Sequence, residues 1–419
     1  MKNLANPNEF LRDLFMAAVA RADPMLCVPA HLPPKPDGRV VVLGAGKASA
    51  RMAEALEATW GPCDGFVIAR YGYGRPCQGI EIVEASHPVP DRAGVDATRR
   101  LLDIADGLGA DDTVIMLVSG GGSALLCAPA DGISLADKQA LSAAMLASGM
   151  PIGDINGIRK EVSAVKGGRL AAAIYPAKLL ALLISDVPGD DPSDIASGPT
   201  VGCAGYAARA VATLARWGVT PPDAIAAFLA AGGTPMAAGD PRLAGVKNVI
   251  IAAPSQSLAA AADIATAAGV EVRLLGDAIE GEAREVAEAQ AALALEIAAQ
   301  RLDHPVLLLS GGECTVTRRG DGVGGPNAEF VLAAVVALKG HPKIHLIACD
   351  TDGVDGAAEV AGAIGDPSTL ALSEAMEVSA AAALRNNDAH GFFGAIGAQV
   401  VTGPTMTNVN DFRAILVLP

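Results

Sequence analysis

Short runs of Val, Ile and Leu recur along the chain, each stopping at Gly, Ser or Asp, with Ala-rich stretches of helical spacing between them. Such alternation restricts the chain to β/α units, because each apolar run needs cover and each helix has one apolar face to supply it. In the first half strands are expected over Arg39–Leu43, Phe66–Ala69, Ile80–Glu84, Thr113–Val118 and Leu179–Ile184. In the second half they are expected over Asn248–Ala252, Val270–Leu274, Val306–Leu309, Ile344–Ala348, Gln399–Val401 and Arg413–Leu418. VIMLV and PVLLLS lack the alternation of a half-exposed sheet, which predicts mostly parallel strands covered on both faces.

At 419 residues the chain exceeds what one hydrophobic core organises, so two domains are expected, with a cleft between them as the place for small-molecule chemistry. The stretch Ala231–Lys247 is rich in Gly and Pro and has no apolar period. A boundary there divides the chain into residues 1–235 and 246–419. The fold class is therefore α/β: an N-terminal Rossmann-like, mostly parallel sheet with helices on both faces, and a smaller C-terminal α/β domain. Residues 281–300 place Val286, Ala289, Leu293 and Ile297 on one helical face. Residues 9–21 read as an amphipathic helix rather than a signal peptide, and no uncharged apolar run is long enough to span a bilayer.

A net charge of −15 opposes a nucleic-acid partner, so any phosphate site must be local. The seven cysteines are scattered without a C-x-x-C pair, which predicts reduced thiols and a cytoplasmic protein.

In VVVLGAGKAS, residues 40–49, the strand turns through Gly44 and Gly46 into a helix beginning near Lys47. Such a turn presents backbone N–H groups to an anion, and Lys47 adds a positive charge. The dinucleotide pattern G-x-G-x-x-G fails at Ser49, and the second strand ends in Arg70 where an NAD ribose requires an acid. The Walker pattern fails as well, at Val41 and Ala48. In LVSGGGSALL, Gly120, Gly121 and Gly122 follow a buried strand and are flanked by the hydroxyls of Ser119 and Ser123. Glycines in succession let backbone approach a ligand closely, which suits a phosphate cradle.

Acids follow other strands. Asp186, Asp190, Asp191 and Asp194 lie in ISDVPGDDPSDIASGPTV, where Asp186, directly after the strand, is best placed for magnesium. Asp191 and Asp194 suit turns and caps. Glu313 follows Ser-Gly-Gly, and ECTVTRR looks like a returning strand. Asp350, Asp352 and Asp355 alternate as in a cation loop, and Thr405, Thr407, Asn408 and Asn410 offer neutral hydrogen-bonding groups. His87 is the one histidine at a plausible site edge. Loops of this kind at strand ends form the ligand edge of an α/β sheet. The inventory suits phosphoryl transfer, which needs positioning and charge neutralisation more than a covalent nucleophile.

The ordered set GAGKA, SHPVPD, SGGGSALL, KGGRLA, SDVPGDDPSDIASGPT, SGGE, DTDGVDG and TGPTMTNVND resembles the glycerate 2-kinase family. Members carry a MOFRL domain, here expected over about residues 304–415, and some relatives bear a hydroxypyruvate reductase label. The resemblance implies an enzyme that uses ATP and Mg2+ to phosphorylate the 2-hydroxyl of D-glycerate or a closely related small hydroxy acid. It places Lys47, Glu313, Asp186 or Asp190, Asp352 and Asn408 at the site; by physical role Lys47, Glu313, Asp352 and Asn408 fall to the chemistry, Asp186 and Asp190 to the metal, and the loops of Gly44, Gly46 and Ser119–Ser123 to the nucleotide. A homodimer is compatible with it, and neither a nucleic acid nor a membrane is implied. Two positions depart from the family: Pro326 stands where an arginine is frequent, and Glu161 where a histidine is common. If Arg318, Arg319, Arg159 or Arg70 does not supply the missing charge, the substrate differs from glycerate. The alternatives are a reductase or a catalytically silent sugar-acid binder.

Overall fold

A computed structural model describes residues 2–203, 207–233 and 236–419. The chain divides into two compact units, one of Pro24–Ser185 with Asp190–Ile251 and one of Met1–Asp23, Asp186–Gly189 and Ala252–Pro419. The chain last passes between the units at Ile251 and Ala252, and Thr234 and Pro235 of the expected linker lie outside the described residues. The N-terminal segment, however, groups with the C-terminal unit. Its helix Pro7–Arg21 buries Phe10, Leu11, Leu14 and Phe15 against Leu307, Leu309 and Phe412. An apolar stripe shows that a helix will be buried and says nothing of which sheet it covers.

The first unit is built on a sheet of β1 (Val40–Ala45), β2 (Asp64–Arg70), β3 (Ile80–Ala85), β4 (Thr113–Val118), β5 (Lys178–Ile184) and β6 (Lys247–Ala252), in the order β3-β2-β1-β4-β5-β6. The pairs β1/β2, β2/β3, β1/β4 and β4/β5 are parallel. Beside it, the helices Leu135–Ala147, Ile152–Glu161, Ala207–Arg216 and Asp223–Ala230 form a separate core around Leu141, Met145, Ile158, Leu214 and Ile225.

The second unit contains β7 (Glu271–Gly276), β8 (Gly281–Glu282), β9 (Val306–Gly312), β10 (Cys314–Thr315), β11 (Ile344–Asp350), β12 (Gly362–Gly365), β13 (Gln399–Val400) and β14 (Asp411–Val417). Its main sheet has the order β13-β12-β11-β14-β9-β7. Only β7/β9 is parallel there; β9/β14, β14/β11, β11/β12 and β12/β13 are antiparallel. The parallel expectation fails here for a physical reason. Along β9, Leu307 and Leu309 enter the core with Pro7–Arg21 and Pro254–Ala267, while Val306 and Leu308 enter the core with Ala283–Ala298 and Pro326–Leu338. A continuous apolar run therefore reports cover on both faces, whichever way the neighbouring strands point.

Two smaller readings also change. Helix Ala283–Ala298 buries Ala283, Ala287, Ala291, Ala294 and Ile297, a stripe rotated from the expected one, and Val286 and Leu293 pack at its margin. ECTVTRR is not a returning strand: only Cys314 and Thr315 pair, in parallel with Gly281 and Glu282. Among the described residues all seven cysteines are free, and no helix is long and apolar enough to cross a membrane.

Candidate functional site

In the first unit β1 and β4 are central parallel neighbours, so the loops that follow them leave the same edge of the sheet. Gly44 is still inside β1, level with Leu117, and the turn proper begins at Gly46. Gly46 has φ 148°, and a Cβ there would overlap Ser119. The buried Ser119 Oγ accepts the Ala48 N–H at 2.9 Å, and Lys47 N–H donates to the Gly120 carbonyl at 2.8 Å. The two glycine loops are thus stitched into one backbone surface, with the Ser119 hydroxyl turned inward to hold it.

Gly121 has φ 80°, and a Cβ there would lie 3.0 Å from His87 Cδ2 and 3.2 Å from Lys47 Cγ. The His87 ring and the Lys47 stem therefore close upon the same backbone. Among the described residues, the amides of Gly120 and Gly121 meet no protein acceptor. Gly122 packs onto Ala196, and Ser123 Oγ lies 2.7 Å from Ser197 Oγ. Ala196 and Ser197 hold φ of 52° and 61°, a conformation that costs an L-residue roughly 1–2 kcal/mol and tends to collect at functional sites.

Of the acids in the following loop, Asp191 accepts the Ser193 N–H at 2.8 Å and Asp194 pairs with Lys160 at 2.8 Å, so both have structural roles. Asp190 is different: it holds φ 55°, and among the described residues its buried Oδ1 meets no hydrogen-bond donor.

In the second unit, the loops after β9 and β11 and the loop before β14 share one edge. Because β14 runs antiparallel between its neighbours, its first residue, Asp411, pairs with both Gly312 and Asp350. The expected set of loops at parallel strand ends is therefore, in this unit, a set made by opposed strands. Asp352 is 1% exposed; its Oδ1 accepts the Val354 N–H at 2.8 Å, and its own N–H donates to Asp350 Oδ1 at 2.9 Å. Thr351 Oγ1 donates to the Asn410 carbonyl at 2.7 Å and accepts the Val409 N–H at 2.9 Å. Thr405 Oγ1 donates to the Thr351 carbonyl at 2.5 Å. These threonines lace DTDG to TMTNVND. Asn408 Nδ2 donates to Asp186 Oδ2 at 3.0 Å, which joins two of the expected residues directly. Glu313 stands exposed beyond β9.

Asp355 leaves the cation loop expected for it. Its carboxylate is fully buried and accepts the Asn327 N–H at 2.9 Å and the Ala328 N–H at 2.8 Å, capping helix Pro326–Leu338. His390 Nε2 lies 3.0 Å from its other side. Among the described residues no group of three or more His, Cys, Asp or Glu is placed to hold a metal.

Beneath these loops is a polar interior that the motifs did not indicate. Arg413, 1% exposed, donates to Asp411 Oδ2 at 2.7 Å, to the Gly312 carbonyl at 2.9 Å and to the Gly311 carbonyl at 3.3 Å. Asp411 Oδ1 accepts from Asn327 Nδ2 at 2.7 Å. Burial raises the Asp411 carboxyl above its usual range, against the opposing pull of Arg413. The available clue was two charges at i and i+2 in DFRAILV, on one face of an otherwise apolar strand.

A parallel sheet with stitched glycine loops and a second unit bearing buried carboxylate and amide loops define a two-unit α/β enzyme of small-molecule chemistry. The chain matches the family model described as Domain of unknown function (DUF4147) over residues 10–230 and the MOFRL family over residues 306–411, and it belongs to this family. It is 37% identical over 385 residues to the D-glycerate 2-kinase of Thermotoga maritima, covering 91% of each chain. It is 48% identical over 421 residues to an Agrobacterium vitis protein with the provisional name hydroxypyruvate reductase, covering 99% of this chain and 95% of that one. The crystal structure of a Thermotoga maritima glycerate kinase superimposes with a TM-score of 0.88 at 34% identity, covering 99% of this chain and all of the other.

Proposed function

We infer that this chain is a cytoplasmic kinase that transfers the γ-phosphoryl group of ATP to the 2-hydroxyl of D-glycerate, giving 2-phosphoglycerate and ADP. The observation that carries this reading is the near-complete superposition on a glycerate kinase at 34% identity. The free thiols support the compartment.

The residues present fit the implied cofactors. The amides of Gly120 and Gly121, beside Lys47, suit the phosphates of a nucleotide. Mg2+ commonly takes one or two carboxylates and completes its shell with water and phosphate, so a triad of acids is not required. Asp190, with its buried acceptor lacking a donor, and Asp186 are the proposed ligands. When bound, the ion neutralises charge on the transferring group.

The remaining steps belong to the chain. Asn408 orients Asp186 through its amide. Asp352, pinned by the Val354 N–H, orients the substrate, and it or Glu313 takes the proton of the 2-hydroxyl as the oxygen–phosphorus bond forms and the bond to ADP breaks. Lys47 balances the negative charge of phosphate or carboxylate.

The test is ADP release with Mg2+ across D-glycerate, L-glycerate, hydroxypyruvate and four-carbon sugar acids, with the phosphorylated position read by NMR. ADP release with D-glycerate and phosphate on the 2-oxygen is expected. NAD(P)H oxidation by hydroxypyruvate without ADP release would replace the reading by a reductase; ligand-dependent stabilisation with neither activity would replace it by a binding protein.

A further inference from the structure

Five cations stand between residues 138 and 169, on two helices of the helical core and in the stretch that follows them: Lys138, Arg159, Lys160, Lys166 and Arg169. Two have acids close by. Lys160 pairs with Asp194 at 2.8 Å, and Arg169 lies 4.0 Å from Glu161. Lys138, Arg159 and Lys166 have no carboxylate partner among the described residues.

Lys138 sits on the inner face of helix Leu135–Ala147 with Leu141 and Met145, 5% exposed, and among the described residues its Nζ meets no acceptor. Lys166 is 1% exposed, and its Nζ donates to the carbonyl of Leu126, which closes SGGGSALL, at 2.8 Å. Arg159, on helix Ile152–Glu161, is half-buried. Burial pushes the Lys166 ammonium well below its ordinary range, with Lys138 and Arg159 adding to the fall and Cys127 opposing it. Burial and Arg159 lower Lys138 in the same way, and Cys127 again opposes.

Like charges gathered in the interior repel and lose hydration, and a chain with 46 acids had ample means to neutralise them. A group of cations without carboxylates behind a glycine loop suits an anion. We propose that Lys138, Arg159 and Lys166 form a site for a phosphoryl group, carried either by the nucleotide or by the phosphorylated product. Its place in the reaction rests on the kinase reading; its existence as an anion site does not.

The test measures thermal stabilisation of the full chain by inorganic phosphate, ADP, ATP and 2-phosphoglycerate, in wild type and in Lys138→Met. Wild type should be stabilised, and the ligand that acts at the lowest concentration identifies the source. Lys138→Met should melt no lower than wild type without ligand, because a buried unpaired amine is gone, and should bind the phosphoryl ligand roughly tenfold to hundredfold more weakly. Titration calorimetry in two buffers of different ionisation heat should show proton uptake by wild type on binding, with affinity falling as pH rises, since the anion binds to charged amines.

Should Lys138→Met not fold, Arg159→Gln carries the same comparison. A variant that keeps the wild-type response, or a wild type that none of the four ligands stabilises, overturns the proposal. If ADP release fails while phosphate still stabilises wild type and not the variant, the kinase reading falls and the anion site stands.

Discussion

Replacing Arg413 by Met should unseat the loop that carries Glu313. Among the described residues the guanidinium is the sole charged partner of Asp411 at hydrogen-bond distance, it holds the Gly311 and Gly312 carbonyls, and it lies 5.7 Å from the Phe330 ring centre. Removing one member of a buried pair costs about 3–5 kcal/mol, because the other charge remains without hydration. Two features keep the loss at the lower end. Asp411 retains the Asn327 amide at 2.7 Å, and its carboxyl, already raised by burial, can take up a proton. The second feature sets a pH dependence. An acid whose folded pKa lies above its unfolded value binds more protons folded than unfolded, so stability falls as pH rises. The deficit of the variant should thus be largest at alkaline pH and shrink as pH falls. Urea unfolding followed by far-UV circular dichroism suits the measurement, since Trp60 and Trp217 both belong to the other unit. Adding Asp411→Asn should restore at least half of the loss, because a buried pair removed whole leaves no orphan charge. A loss under about 1 kcal/mol at pH 8, or no recovery in the double variant, would refute this account of the interior.

Three further outcomes follow from the geometry. Gly121→Ala forces an L-residue to φ 80° with its Cβ 3.0 Å from the His87 ring; it should lower stability by roughly 1–2 kcal/mol and raise the KM for ATP, and an unchanged KM would remove this loop from the nucleotide site. Glu57 accepts the N–H groups of Gln78, Gly79, Ile80 and Cys63; burial alone would raise its pKa, but these bonds together hold it below the ordinary range. Its contribution is present above the unfolded pKa and lost as pH falls through the folded one, so Glu57→Gln should melt lower than wild type at pH 7 and converge with it in acid; parallel curves at both pH values would contradict this. Asp355→Ala strips the cap from helix Pro326–Leu338 and the partner from His390, and a loss of about 1–2 kcal/mol in urea unfolding is expected, against which an unchanged midpoint would count.

Strands were legible wherever branched aliphatic residues ran together, and β4 occupies the expected Thr113–Val118. β12 was not legible, because GAIG holds one branched residue and its place in the sheet comes from pairing with β11 and β13. Strand direction was also out of reach, since burial on two faces looks the same in parallel and antiparallel sheets. In the candidate site, the glycine loops and Asp186, Asp352 and Asn408 could be picked out because short polar residues stood against apolar strands. The Asp355–Asn327–Asp411–Arg413 interior could not be assembled, since its members are far apart in sequence and meet only through the fold.

Pro326 shows how a position changes meaning once its surroundings are known. By resemblance alone it reads as an arginine lost from a substrate site. In the fold it is the first residue of helix Pro326–Leu338, where proline's missing N–H costs nothing and its fixed φ suits the turn. The positive end of that helix is already occupied by the Asp355 carboxylate, so a ligand anion finds no free N–H at Asn327 or Ala328. Charge for an anionic ligand must come from another residue. Of the four arginines considered, Arg318 donates to the Gly320 carbonyl and stands exposed with Arg319, and Arg70 lies over Tyr73. Arg159 alone is both half-buried and grouped with other cations that lack a carboxylate. The departure at Pro326 and the cation cluster behind the glycine loop therefore pose the same question, and substitution at Arg159 separates a compensating arginine from a decorative one.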